Sequence, residues 1–187
     1  MSNVTRKFRT TVGTARYPHL TRPDTKFEPP FKTGFIQSPD DAQPLIDIIN
    51  EVAEEAFKPA QIKKANIPYE IDEETGDVVF TTKSGYQPGL FAGNGDPIKD
   101  KVREKLIVGG GSQIKLSLTV KAWEVSGKCG IKLELRTVQI VKPVSSGGFD
   151  AEEGGWVPDE DDYADDDTAP ANDQDTDEDA ADEDEDF

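Results

Sequence analysis

Residues 113–142 read QIKLSLTVKAWEVSGKCGIKLELRTVQIVK, and this stretch decides the fold. Ile114, Leu116, Leu118 and Val120 share one parity; Lys115, Ser117, Thr119, Lys121 and Trp123 take the other. A period of two marks a strand with one buried and one wet face. Ser126-Gly127 supplies a turn, after which Ile131, Leu133 and Leu135 alternate with Lys132, Glu134 and Arg136. The apolar parity then slips to Val138 and Ile140, which places a bulge near Arg136-Thr137. The spacing predicts a long antiparallel hairpin with a basic outer face.

Upstream of the hairpin, GGGS at 109–112 lacks the GK[ST] of a phosphate-binding loop and precedes a strand rather than a helix. It reads as a flexible turn that lets the next strand bend. Lys99, Lys101, Arg103 and Lys105 place four bases in seven positions. They fall on a short helix opened by Asp96-Pro97 or on a basic loop feeding a strand. Residues 84–98 are turn-rich. Residues 69–82 suggest a hairpin or short meander, with Thr75-Gly76 turning into the β-prone run 78–82.

One helix stands out. Ser38 can cap it, with Pro39 first and Asp40 and Asp41 in the first turn. Leu45, Ile48, Ile49, Val52, Ala56 and Phe57 form its apolar stripe. Pro59 ends the clean pattern, and Pro44 leaves a later start at Leu45 open. Residues 6–16 and 31–37 read as strands, separated by the four-proline loop 17–30. Lys7 and Arg9 share one face of the first strand, and Arg6 and Arg16 flank it. Five or six strands and one inserted helix in about 148 residues suit a small, mostly antiparallel barrel, with a β-sandwich still open.

Charge divides the chain. No Lys or Arg follows Lys142, and residues 150–187 hold 20 of the 38 acids. The remaining 18 acids face all 21 bases, so a body near +3 carries a tail of −20. The division predicts a domain at 1–148 and a disordered acidic tail at 149–187. The tail closes on DEDEDF, and Trp156 and Tyr163 sit within its acid. Terminal Phe187 can anchor in a pocket of a basic partner, sleeved by Asp182, Glu183, Asp184, Glu185 and Asp186.

Catalytic and metal chemistry find little support. Cys129 is the single cysteine, so an internal disulfide and a cysteine-based metal cluster are excluded, and a buried structural thiol is expected. His19 is the only histidine and has no Ser or Cys partner in its sequence context. The tail segment DQDTDEDA lacks the glycine and closing glutamate of a calcium loop. No apolar run approaches 18 residues, and MSNVTRKFRT lacks the apolar core of a signal peptide, so an intracellular protein is expected.

Single-stranded nucleic acid binding needs bases along the backbone and aromatic faces for stacking. Lys115, Lys121, Lys132 and Arg136 with Trp123 supply one such face. Arg6, Lys7, Arg9, Arg16, Lys99, Lys101 and Arg103 supply further bases; Tyr17, Tyr86, Phe31 and Phe91 supply loop aromatics. Two other readings stand beside it. One is an acidic adaptor or DNA mimic acting through its tail on a basic partner, and the other is an RNA chaperone on the same fold.

These residues carry a resemblance. GTARY at 13–17, RPD at 22–24, the acidic amphipathic helix, IVGGGSQIKLSL at 107–118, Trp123, IKLELRTVQIVK at 131–142 and the tail ending DEDEDF resemble the single-stranded DNA-binding protein of T7-like phages. The resemblance implies an oligonucleotide-binding (OB) barrel with one helix packed across it. It also implies a homodimer without cofactor, catalytic residue or metal, in the cytoplasm of the infected bacterial host. Such a protein coats single-stranded DNA in replication, recombination and repair and promotes annealing. Its acidic tail contacts the phage DNA polymerase and primase-helicase. Lys-Ala-Trp at 121–123 is poorer in aromatics than the family pattern, which leaves more of the affinity to charge or moves stacking to Tyr86 or Tyr17.

Overall fold

The computed structural model describes residues 4–145. The elements run β1 (Thr5–Arg9), β2 (Gly13–His19), β3 (Phe31–Gln37), α1 (Pro39–Ala56), α2 (Pro59–Ile62) and β4 (Tyr69–Ile71). They continue as β5 (Val78–Ser84), β6 (Gly89–Phe91), α3 (Asp100–Lys105), β7 (Gln113–Val125) and β8 (Lys128–Lys142). The tail assignments, including Trp156, Tyr163 and Asp182 to Phe187, lie outside the described residues.

The sheet closes on itself. β2 pairs with β3, β3 with β5, β5 with β8, β8 with β7, and β7 returns to β2. The five strands make an OB-fold barrel, with β1, β4 and β6 added at its edges. The β5–β8 seam is parallel, and the other four seams are antiparallel, in keeping with the mostly antiparallel barrel expected. That seam follows from connectivity: the crossover from β5 through β6 and α3 precedes the β7–β8 hairpin, so β8 arrives alongside β5 in the same direction.

The expected hairpin is present over its full length, with the turn at Ser126-Gly127 and both residues at positive φ. The bulge also falls where the parity slips: Ser117 faces Thr137 and Leu118 faces Leu135, leaving Arg136 over. The first strand, by contrast, is broken. β1 pairs with β7 from Thr5 opposite Lys121 to Arg9 opposite Ser117, and β2 then crosses to β3. Thr10 bridges the break, its N–H donating to Leu116 O at 2.9 Å and its hydroxyl accepting from Leu116 N at 2.9 Å.

Helix α1 begins at Pro39, with the Ser38 hydroxyl accepting from Asp41 N, and it carries Pro44 within its first turns. Pro44 lies past the first turn, so its ring removes the bond an N–H there would make to Asp40 O, and the buried stripe offsets that loss. Ala42, Leu45, Ile49, Val52 and Ala53 are buried as the stripe lies against β7, β1, β8 and β3. Inside the barrel Phe35 and Phe80 sit opposite each other at 0% exposure, and Tyr69 follows Phe80 with ring centroids 5.8 Å apart.

The 109–112 turn is tied down rather than flexible. Buried Ser112 donates its hydroxyl to Gly109 O at 2.8 Å and accepts from Val144 N at 2.8 Å; Gly111 N donates to Ala15 O at 2.9 Å. Gly111 has φ +95°, a conformation glycine adopts at no steric cost. Cys129 is buried as expected, with Sγ 3.8 Å from Gln61 O. The turn-rich segment 84–98 holds a strand the sequence did not announce: β6 is three residues long and pairs with β8 at Thr137 to Gln139.

Candidate nucleic-acid interface

A cleft of about 960 Å³ opens between the end of the β7–β8 hairpin and the β4–β5 edge. Its walls include Tyr69, Tyr86 and Trp123, and Lys83, Lys121 and Lys132 line it. In OB barrels oligonucleotides bind on the face of the second and third strands, between the first and fourth loops. Those elements correspond here to β3 and β5, to residues 20–30, and to the Ser126-Gly127 turn. Pro29 and Val125 bring both loops to the rim of the cleft.

Trp123 is placed by a glycine. It stands opposite Gly130 in the hairpin register, and a Cβ there would lie 3.0 Å from Trp123 Cζ2 and 2.5 Å from Asn66 O. The missing side chain lets the strap at Asn66 close over the strand, with Asn66 N donating to Cys129 O and Ile131 N to Asn66 O, both at 2.9 Å. The strap carries Ile67, Pro68 and Tyr69 into the opposite wall.

The charges are arranged at a cost. Lys121 stands directly opposite Lys132, and Lys32 directly opposite Lys83. Like charges facing each other across a sheet are destabilising. Lys83, Lys121 and Lys132 make no ion pair among the described residues, although Glu70 and Glu134 line the same cleft. Those carboxylates turn to arginines instead: Glu134 to Arg136 at 3.3 Å and Glu70 to Arg16 at 3.9 Å. Three ammonium groups are left to whatever enters.

Lys121, Trp123, Lys132 and Tyr86 are thus brought together. Lys7 and Arg9 lie exposed on β1, with Lys7 beside Thr119 in the next row of the same outer face. Arg16 flanks the cleft through Glu70, and Tyr17 beside it is 78% exposed at φ +47° in a bulge that turns its ring outward. Lys115, opposite Gln139, and Arg136, bonded to Thr119, lie beyond the cleft on the hairpin's outer face.

Others point elsewhere. Arg6 has the inward parity of Phe8 and pairs with Glu55 of α1. Lys99, Lys101 and Arg103 belong to α3 or its cap, away from the cleft lining, and Arg103 pairs with Asp100. Phe31 is half-buried in β3, and Phe91 packs beside Gly89. Sequence reading passed over Tyr69 and Lys83. Lys83 had a signal, since it alternates with buried Thr82 and Ser84; Tyr69 enters only through long-range pairing.

Next to the cleft, loop 20–30 turns on Asp24. Its carboxylate takes the Lys32 ammonium at 2.6 Å and the N–H groups of Lys26 at 2.8 Å and Phe27 at 3.3 Å. The Lys32 hydrogen bond and these amides lower its pKa to about 2. A pKa below the unfolded value contributes stability in the ionised range and loses it as pH falls through the folded pKa. The loop is therefore expected to hold above pH 4 and to loosen between pH 4 and 2. Amide NMR of Lys26 and Phe27 during acid titration measures this, and Asp24→Asn is expected to abolish the transition.

No protein-family model matches the chain, and no curated protein matches it in sequence. Solved structures do match in fold. gp2.5, a single-stranded DNA-binding protein encoded by bacteriophage T7, superposes at TM-score 0.64 with 22% identity, over 83% of this chain and 100% of that one. The single-stranded DNA-binding protein of bacteriophage Enc34 gives TM-score 0.57 with 17% identity, over 77% of this chain and 87% of that one. Its structure in complex with single-stranded DNA gives 0.58 with 15% identity, over 76% and 89%. The resemblance drawn from the sequence holds at the level of the fold.

Proposed function

We propose that this chain is a phage single-stranded DNA-binding protein that coats unpaired strands without sequence preference and performs no bond chemistry. The observation that carries this reading is a set of three lysines, without an ion pair among the described residues, in a cleft walled by Trp123, Tyr69 and Tyr86. Ammonium groups neutralise phosphates while aromatic faces accept bases, which every nucleotide can satisfy. The barrel shared with proteins whose names state this binding supports the same reading.

The finer roles rest on the resemblance and the charge division. Residues 1–148 hold the strand, and the acidic segment 149–187 competes with it for the lysines when DNA is absent. Asp182 to Asp186 and Phe187 dock on the phage polymerase and primase-helicase. The protein acts as a homodimer in the host cytoplasm and promotes annealing. Among the described residues no helix is long and apolar enough to cross a membrane.

The test is an anisotropy titration of labelled oligo-dT and matched duplex, with the full chain and a chain ending at Gly148. Tight, salt-sensitive, single-strand-selective binding that strengthens on truncation is expected. Absence of single-strand binding by both forms at low salt would sink the reading and favour an acidic adaptor acting through its tail.

A further inference from the structure

Phe27 is the unexplained residue beside the cleft. It lies on loop 20–30, 69% exposed, yet it is held on several sides. Asp24 N donates to Pro30 O at 2.7 Å and closes the loop, and the Asp24 carboxylate accepts the Phe27 N–H. The same carboxylate fixes Lys32, whose Nζ sits 5.4 Å from the centre of the Phe27 ring. An exposed phenylalanine ordinarily gains nothing from being braced in this way; a surface meant to receive a flat partner does.

The position fits a continuing strand. Lys32 faces Lys83 across β3 and β5, and Lys83 and Pro29 both line the cleft. Neighbouring strands are about 4.8 Å apart, so the braced loop begins one strand from a cleft lysine. Its chemistry differs from that of the cleft. The Lys32 charge beside it is already met by Asp24, and a phenyl ring carries no polar handle, so the Phe27 ring itself offers a π-face rather than a phosphate contact.

We propose that Phe27 is a second nucleobase platform outside the cleft, on which the strand stacks after passing Lys83, and that Asp24 is the positioning residue. The proposal rests on the single-stranded DNA reading and extends its path across the loop.

The experiment compares the full chain with Phe27→Leu, Phe27→Tyr and Lys121→Glu on oligo-dT and on an abasic strand of equal length. Phe27→Leu is expected to lose about tenfold on oligo-dT, as one lost stack predicts, with an unchanged salt slope. Phe27→Tyr keeps affinity within about twofold, since its ring stacks equally. On the abasic strand Phe27→Leu matches the unaltered chain.

Two results would overturn the platform while leaving the cleft: unchanged oligo-dT affinity of Phe27→Leu while Lys121→Glu fails, or equal losses on both strands. If the unaltered chain binds no single strand, the underlying reading fails instead. For Asp24, Phe27→Trp in a Trp123→Phe, Trp156→Phe background supplies a reporter whose emission oligo-dT quenches. Asp24→Asn in that background is expected to reduce the quench at saturation, and an undiminished quench would remove its positioning role.

Discussion

Lys121→Glu is expected to weaken oligo-dT binding by roughly 100-fold at low salt and to reduce the salt slope by about one released counterion. The same substitution is expected to make the protein slightly more stable. Lys121 and Lys132 face each other with no carboxylate partner among the described residues, and reversing one turns a repulsive cross-strand pair into an attractive one. Such pairs are worth about 0.2–1 kcal/mol, so Tm rises by a few degrees at most. A residue kept only as a solvated strand position would show the stability gain without the binding loss. Loss of binding with loss of stability would point to misfolding and would leave the lysine pair unexplained. Paired titration and melting curves on one preparation decide between them.

Gly130→Val is expected to lower stability by about 3 kcal/mol, near 10 °C in Tm, and to open the cleft. The added atoms have nowhere to go: the first would meet the Asn66 carbonyl at 2.5 Å, Asn66 Cβ at 2.9 Å and the indole at 3.0 Å. Relief requires the strap to lift, which breaks its two hydrogen bonds to β8 and displaces Tyr69 from the wall. Exchange of the Asn66 and Ile131 amides is expected to accelerate far more than that of β2 or β3. Uniform acceleration across the barrel would mean that the strap has no separate role.

What could be read from residue order follows the range of the interactions involved. The β7–β8 hairpin, its turn and its bulge come from alternation and a two-residue turn, all local, and they appear as expected. The α1 start was equally legible, because Ser38, Pro39, Asp40 and Asp41 act within one turn. The parity that excludes Arg6 from the outer face was also present, but its partner Glu55 lies 49 residues away and no periodicity announces it.

The cleft was half legible. Lys121, Trp123 and Lys132 come from one hairpin, whereas Tyr69, Lys83 and Pro29 join them only when Asn66 bridges to Gly130 and β5 meets β8. Lys99 and Lys101 show the converse, a run whose place in the fold residue order does not give. A dense basic run looks like a binding stripe until the helix that carries it is placed away from the cleft.

The order of pairing around the barrel bears on how the chain reaches this state. β1 and β2 close on β7, and β5 and β6 close on β8, so both seams wait for the last hairpin in the described chain. A sheet of β2, β3, β5 and β4 can form earlier, but it presents open edges on both sides. Closure between segments separated by most of the domain is slow, on the order of milliseconds to seconds for barrels of this kind. A nascent chain halted before β8 would therefore hold adhesive strand edges, and its safety during synthesis depends on how quickly the thirty residues of that hairpin (113–142) arrive.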